Sequence, residues 1–284
     1  TETMAVSGTL WLVPNALDLG AEAVPIEDVL PLGVMRRAAA LGHWVVEDAR
    51  SARAFLKRVH AVVPLARPLQ ALEIVELPRP AKGAPTEPSA QEPRNARGAA
   101  VEASAAGRRS VQRAAAGSPS PWPALLAPAL AGHDLGLLSE AGLPAVADPG
   151  AALVAAAHAA GVPVQPLPGA SSLSMALAAS GLDGQHFAFV GYLPQEPGAR
   201  ATRLRELEAR SRQLGQTQIC IETPYRNAAV LAAMLATLAP GTRLAISCGL
   251  TLPGAWSRMQ AVAAWRRQPP VLPDRVPAVF AWLA

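Results

Sequence analysis

Short apolar runs alternate with segments of helical period along most of this chain, and that alternation restricts it to an α/β architecture. The first run, Thr9-Leu-Trp-Leu-Val-Pro14, is apolar throughout, as suits a strand covered on both faces, and Pro14 ends it. The pattern then predicts a helix over 26–40, a strand over 43–46, a helix over 49–59 and a strand over 70–75. Further on come a helix at 123–131, a strand at 133–138, a helix at 149–160, a strand at 162–167 and a helix at 170–180. Pro149 suits a helix start, where a missing N–H costs little. Gly181-Leu-Asp-Gly184 reads as a turn and a domain boundary. Beyond it, strands are predicted at 187–193, 218–222, 244–248 and 277–283, with helices at 201–213 and 227–238. In the last helix Leu231, Met234, Leu235 and Leu238 keep the i, i+3, i+4, i+7 spacing of one buried face. Two α/β domains are therefore expected, over 1–183 and 184–284.

Residues 78–121 break the pattern. They are rich in Pro, Ala, Gly, Ser and Arg, carry almost no large apolar residue, and read as a flexible insertion in the first domain. The basic residues between Arg79 and Arg113 outnumber the acidic ones by four, which accounts for the whole net charge of +4. The rest of the chain is neutral, which weakens a nucleic-acid reading based on charge alone. At 51% hydrophobic residues there is enough apolar surface for a buried core. The two cysteines, Cys220 and Cys248, lie in apolar runs and read as buried free thiols, with no spacing that suggests a metal site. No basic stretch with a following apolar core marks a signal peptide, and no apolar run reaches the ~20 residues that span a bilayer. A soluble, cytoplasmic protein is expected, with no membrane partner.

Three turns concentrate small, rigid and polar residues where a strand ends. Ser139-Glu-Ala-Gly-Leu-Pro-Ala-Val-Ala-Asp-Pro-Gly150 joins a strand to a helix, at the kind of strand end where α/β sheets bind ligands. Gly142 allows close backbone approach, and Asp148 is placed to order the loop by accepting backbone N–H groups. An ordinary strand-to-helix loop is the plainer alternative. In Pro168-Gly-Ala-Ser-Ser172, Ser171 or Ser172 can cap the next helix, and the N–H groups there can also hold an anion. Glu222-Thr-Pro-Tyr-Arg226 offers a carboxylate for ligand hydroxyls and a guanidinium for phosphate, or simply a surface ion pair at a helix start.

Together these turns resemble the bacterial ribosomal RNA small-subunit 2′-O-ribose methyltransferases of the tetrapyrrole-methylase superfamily. The likeness begins at Gly8-Thr-Leu-Trp-Leu-Val-Pro14 and continues at Glu47-Asp-Ala-Arg50, close to that family's Glu-Asp-Thr-Arg. It is strongest from Gly136 to Pro194, through Phe187-Ala-Phe-Val-Gly-Tyr-Leu-Pro194, and returns at Glu222-Thr-Pro-Tyr-Arg226. The resemblance implies two α/β/α domains with S-adenosylmethionine in the cleft between them, ribosomal RNA as substrate, and a homodimer. Carried over by position, cofactor contacts fall to Pro14, Ser139, Glu140, Ala141, Gly142, Ala145, Val146, Ser171, Ser172, Glu222, Thr223 and Gly249. Glu47 and Asp48, on a loop expected to face the cleft, are candidates to accept the ribose proton. Arg50 and Arg226 are candidates to hold substrate phosphates. No metal is implied.

Departures cluster on the acceptor side. The family's first loop, near Pro-Thr-Pro-Ile-Gly-Asn-Leu, is here the shorter Pro14-Asn-Ala-Leu-Asp-Leu19. Its His-Asn-Glu segment after the third strand has no counterpart. Its Ser-Asp-Ala-Gly-Thr-Pro becomes Ser139-Glu-Ala-Gly-Leu-Pro144, and its Glu-Leu-Thr-Lys becomes Gly249-Leu-Thr-Leu252. Two alternatives therefore stay open: a cofactor-binding protein of this fold without RNA methylation, and a methyltransferase for a small molecule.

Overall fold

The computed structural model describes residues 7–19, 24–78 and 120–284. The insertion expected over 78–121 thus lies, apart from its ends, outside the described residues.

The first sheet contains β1 (Leu10–Val13), β2 (His43–Val46), β3 (Glu73–Glu76), β4 (Leu135–Leu138) and β5 (Val164–Pro166). Its order is β3-β2-β4-β1-β5 and every pairing is parallel. The period of two along each strand divides the core. Val13, Trp44, Val46 and Leu138 face α1 (Leu32–Ala40) and α2 (Ala49–Val62), meeting Val34, Met35, Phe55, Leu56 and Val59. Leu10, Val45, Leu135 and Leu137 face the other way, onto Leu126 and Ala129 of α3 (Trp122–Leu130) and Leu153 and Ala157 of α4 (Ala151–Ala159). Strands covered on both faces are why these runs carry no polar alternation.

Two expected elements are divided. The helix expected over 26–40 is a 3-10 turn at Ile26–Asp28 followed by α1. Pro31 separates them, because a proline ring disfavours helical geometry in the residue before it. Pro31 then starts α1, its carbonyl accepting the N–H of Val34 at 2.9 Å. Likewise the strand expected over 70–75 is a 3-10 turn at Leu69–Ala71 and then β3.

The second sheet holds β6 (Phe187–Phe189), β7 (Thr217–Ile221), β8 (Arg243–Cys248), β9 (Trp256–Ala261) and β10 (Ala278–Leu283), in the order β6-β7-β10-β8-β9. Only β6 and β7 are parallel; β10 and β9 bring antiparallel pairings. One face packs against α6 (Pro197–Leu214), α7 (Asn227–Thr237) and α8 (Val262–Arg267), where Leu204, Leu207, Val230, Met234 and Trp265 meet Cys220, Ile246, Phe280 and Trp282. Trp265 is fully buried, and its indole N–H donates to the Leu244 carbonyl at 2.8 Å. Cys220 and Cys248 are free thiols within this layer, and burial pushes both thiols up.

The other face carries α5 (Ser172–Ser180). Ala176, Leu173 and Leu177 pack onto Ile219, Ala245, Val279 and Ala281, with alanines on both sides of the contact letting the helix lie close. Although α5 precedes the Gly181–Gly184 turn in the chain, its packing is with the second sheet. Its first turn therefore comes from the last loop of one sheet and seats on the other. Among the described residues no helix is long and apolar enough to cross a membrane.

Candidate active site

Because β1, β2 and β4 are parallel neighbours, the loops leaving Val13, Val46 and Leu138 emerge at one edge of the first sheet. That carboxyl edge is where α/β sheets bind ligands. Asn15 joins two of the loops. Its N–H donates to the Gly142 carbonyl at 2.9 Å and its carbonyl accepts the Gly142 N–H at 3.2 Å. Its side-chain amide donates to the carbonyls of Ser139 (3.1 Å) and Glu140 (3.0 Å). Gly142 turns with φ +68°, a conformation that favours glycine. Glu47, just past β2, adds the third loop by accepting the Glu140 N–H at 3.0 Å. Beside them Gly169 lies so close to Pro14 that a Cβ would sit 2.3 Å from its Cγ, so only glycine fits. Asp18 anchors the β1 loop from beneath through a buried ion pair with Arg58 of α2, at 3.0 Å.

The second sheet supplies the opposite wall. Glu222 follows β7 and is buried. One carboxylate oxygen accepts the Thr223 N–H at 2.8 Å, and the other lies 3.0 Å from Arg226. The ion pair is made, and it is an interior one rather than a surface one. The first turn of α5 completes the cleft. Ser171 stands at the N-cap but makes no side-chain hydrogen bond there, so the expected serine cap is not formed. The orphan N–H groups of that turn keep their capacity for an anion.

Between these walls is a cavity of about 370 Å³. Its lining brings together Glu47, Glu140, Ala141, Gly142, Val146, Ser171, Ser172, Glu222 and Thr223. Seven other residues singled out in the sequence stand outside the lining. Pro14 and Ser139 support the loops, the Ser139 hydroxyl being buried without a hydrogen-bond partner. Asp48 caps α2, accepting the Ser51 N–H at 2.7 Å, and Arg50 is exposed in that helix's first turn. Ala145 takes a left-handed turn at φ +65°. Arg226 is held by Glu222. Gly249 has φ +65° and donates its N–H to the Pro277 carbonyl at 2.8 Å, steadying the end of β8 beside the cavity.

The lining also includes residues that sequence patterns did not assign to a site: Leu17, Asp148, Tyr192 and Ser247. Asp148 accepts no hydrogen bond from the described residues, contrary to the loop-ordering role expected of it. Ala145 and Ala147, at φ +65° and +61°, hold its loop in left-handed turns that alanine seldom adopts. Burial, together with the charges of Glu47 and Glu140, pushes the Asp148 carboxyl up to about 7. Glu140 is raised as well, by burial and then by Glu47 and Asp48. Tyr192 is raised by burial and by Asp148, Glu222 and Glu47. The cavity is thus an acidic one. Among the described residues no group of His, Cys, Asp and Glu is arranged to hold a metal ion. A wider, more open groove of about 760 Å³ runs along α5 and shares Leu143, Val146, Ser171 and Leu173 with the cavity, but no titratable side chain lines it.

A cavity of a few hundred Å³ with a few convergent polar groups has the form of a small-molecule or cofactor site. Known proteins point the same way. The model of the family described as Tetrapyrrole (Corrin/Porphyrin) Methylases matches residues 49–255. Ribosomal RNA small subunit methyltransferase I of Micromonospora olivasterospora is 46% identical over 107 residues, 38% of this chain and 33% of that protein. Its namesake in Xylella fastidiosa is 44% identical over 117 residues, 41% of each chain. The matched part thus spans about a third to two fifths of these curated relatives. Among solved structures, the methyltransferase CobJ superposes with a TM-score of 0.52 at 16% identity, over 97% of this chain and 94% of that one, so the fold is shared. With the family match running from α2 to the end of the loop before β9 and so taking in most of the cleft, the chain belongs to the tetrapyrrole (corrin/porphyrin) methylases.

Proposed function

We propose that this chain is an S-adenosylmethionine-dependent methyltransferase whose acceptor is a ribose 2′-hydroxyl of small-subunit ribosomal RNA. The observation that carries the reading is the acidic cavity closed by loops from both sheets, within a family of methylases. Its residues fit the cofactor's chemistry. Glu47, Glu140 and Asp148 set a negative potential that favours a sulfonium cation over a neutral thioether. The first turn of α5, at Ser171 and Ser172, offers N–H groups to a carboxylate. Gly142 and Val146 on one side and Thr223 on the other supply backbone and apolar surface for the rest. When bound, S-adenosylmethionine supplies an electrophilic methyl carbon. The protein's own work is then to align that carbon with the acceptor oxygen and to take the departing proton, and positioning is the larger share of such catalysis. The names of the relatives support ribosomal RNA as the acceptor.

One observation favours a second reading, in which the acceptor is a small molecule or the protein binds the cofactor without transferring its methyl. Among the described residues no lysine or arginine lines the cavity, and Arg226 is tied to Glu222. RNA affinity rests largely on phosphate contacts from such residues. Incubation with tritiated S-adenosylmethionine and small ribosomal subunits from cells lacking the related methyltransferase separates the two. The RNA reading predicts label confined to one ribosomal RNA fragment. Tight cofactor binding without RNA label supports the second reading instead. The homodimer belongs to the same proposal and predicts twice the chain mass in light scattering.

A further inference from the structure

Resting on the methyltransferase reading of this cleft, we infer that Asp148 is the catalytic residue that takes the acceptor's proton. The assignment follows from what the other carboxylates are already doing. Glu47 is engaged by the Glu140 N–H and ties two loops together. Asp48 is the N-cap of α2 and stands outside the cavity lining. Glu222 spends one oxygen on Thr223 and the other on Arg226. Glu140 also lines the cavity and its carboxyl is raised too, but it is exposed where Asp148 is half-buried, and burial acts more strongly on Asp148. Asp148 alone combines a place in the cavity wall, partial burial and a carboxylate that no described donor engages. It stands between Pro149 and Ala147, and the left-handed Ala145 (φ +65°) and Ala147 (φ +61°) shape the loop that leads into it. Such conformations gather where a side chain must be aimed.

The chemistry balances. Asp148 accepts the hydroxyl proton on a carboxylate oxygen as the acceptor oxygen bonds to the methyl carbon; the carbon–sulfur bond breaks and its electron pair stays on sulfur. One negative carboxylate and one positive sulfonium become a neutral acid and a neutral thioether, so the cleft ends without net change in charge. The groups facing Asp148 tune this. Glu47 beyond β2 and Glu140 beyond β4 raise its proton affinity, and Tyr192 beyond β6 and Glu222 beyond β7 also face the shared cavity, with Arg226 neutralising Glu222. A carboxyl titrating near 7 is an effective base at neutral pH. A bound cation lowers that affinity and releases the proton, which leaves the carboxylate ready to accept another.

Two measurements test the assignment. The first is calorimetric binding at pH 6.5 in buffers of different ionisation enthalpy. Wild-type protein is expected to release a proton on binding S-adenosylmethionine and to release none with S-adenosylhomocysteine, whose sulfur is neutral. Asp148→Asn should bind both ligands without proton release. The second is methyl transfer to the undermethylated small subunits as a function of pH. Asp148→Asn is expected to lower kcat about 10²- to 10⁴-fold, and the rise of wild-type kcat/KM toward neutral pH should vanish. If Asp148→Asn folds poorly, the same two-ligand comparison on Glu140→Gln decides the matter: proton release with S-adenosylmethionine should survive that substitution, and its loss would assign the proton to Glu140 instead. Equal proton release with both ligands, an Asp148→Asn enzyme with near wild-type kcat, or a pH limb abolished by Glu140→Gln instead would overturn the assignment while leaving the methyltransferase reading intact. Failure of wild-type protein to bind either ligand would remove that reading and this inference with it.

Discussion

At the residue scale, the side chains that matter most are short and polar and are held by backbone rather than by each other. Asn15 occupies a place where one amide reaches two carbonyls of a neighbouring loop, and a buried polar group so engaged is costly to remove. Its sequence surroundings, Pro14-Asn-Ala-Leu, gave no hint of it, because its partners lie more than a hundred residues away. Asp148 was visible as a polar residue in a glycine- and proline-shaped loop, but the cavity that half-buries it is shared with Glu47, Tyr192 and Glu222, which are distant in the sequence. That burial has a consequence for stability. The carboxyl ionises near 3.8 in the unfolded chain and holds its proton to about 7 in the folded one. Between those values the folded state binds the extra proton, so the contribution of Asp148 to stability is fully present below about pH 4 and declines toward pH 7, by at most roughly 1.4 kcal/mol per unit. Asp148→Asn removes this decline. Urea unfolding at pH 4.5 and pH 7.5 should show the variant gaining about 1–3 kcal/mol on wild type between the two conditions. A constant difference would mean that the carboxyl is not held protonated by the fold.

At the element scale, the first sheet was legible because parallel strands buried on both faces read as continuous apolar runs, and β1, β2 and β4 fall within the predicted ranges. What was hidden followed from local exceptions. Pro31 divides an apparently continuous helix. The edge strand β9, Trp-Ser-Arg-Met-Gln-Ala, carries polar residues on a largely exposed surface, and neither it nor α8 gave a recognisable period. The antiparallel pairings of the second sheet were also not anticipated, since β9, which follows β8 with no helix between them, carries no apolar run to mark it as a strand. The turn between β5 and α5 shows how an element contact governs the site. Gly169→Ala places a methyl against the Pro14 ring, and overpacking of this kind costs about 1–3 kcal/mol. Displacing Pro14 also shifts the loop that holds Gly142, so weaker binding of S-adenosylhomocysteine is expected. Gly241→Ala, which meets open space, should change stability by no more than about 0.5 kcal/mol. Equal unfolding midpoints for the two variants would show that the Gly169 contact is not a constraint.

At the scale of the whole molecule, the site exists because α5 crosses from one sheet to the other. The helix follows the loop after β5, yet seats its alanine-rich face on β8 and β10, so its first turn lies between the strand-end loops of both sheets. The sequence motifs named the loops correctly as strand ends but could not give their mutual distances, since these depend on parallel register in one sheet and on α5 packing in the other. This also explains why Glu47, Gly142, Ser171 and Thr223 share one cavity while Asp48, Arg50 and Arg226 do not, although all seven lie in the same motifs. The most direct test of the account is a crystal structure of the protein grown with S-adenosylhomocysteine. The ligand should lie in the 370 Å³ cavity, between the Gly142–Asp148 loop and Thr223, with its carboxylate at the first turn of α5 and its sulfur toward Asp148. A cavity left empty at saturating ligand, or a ligand seated only in the wider groove along α5, would contradict it.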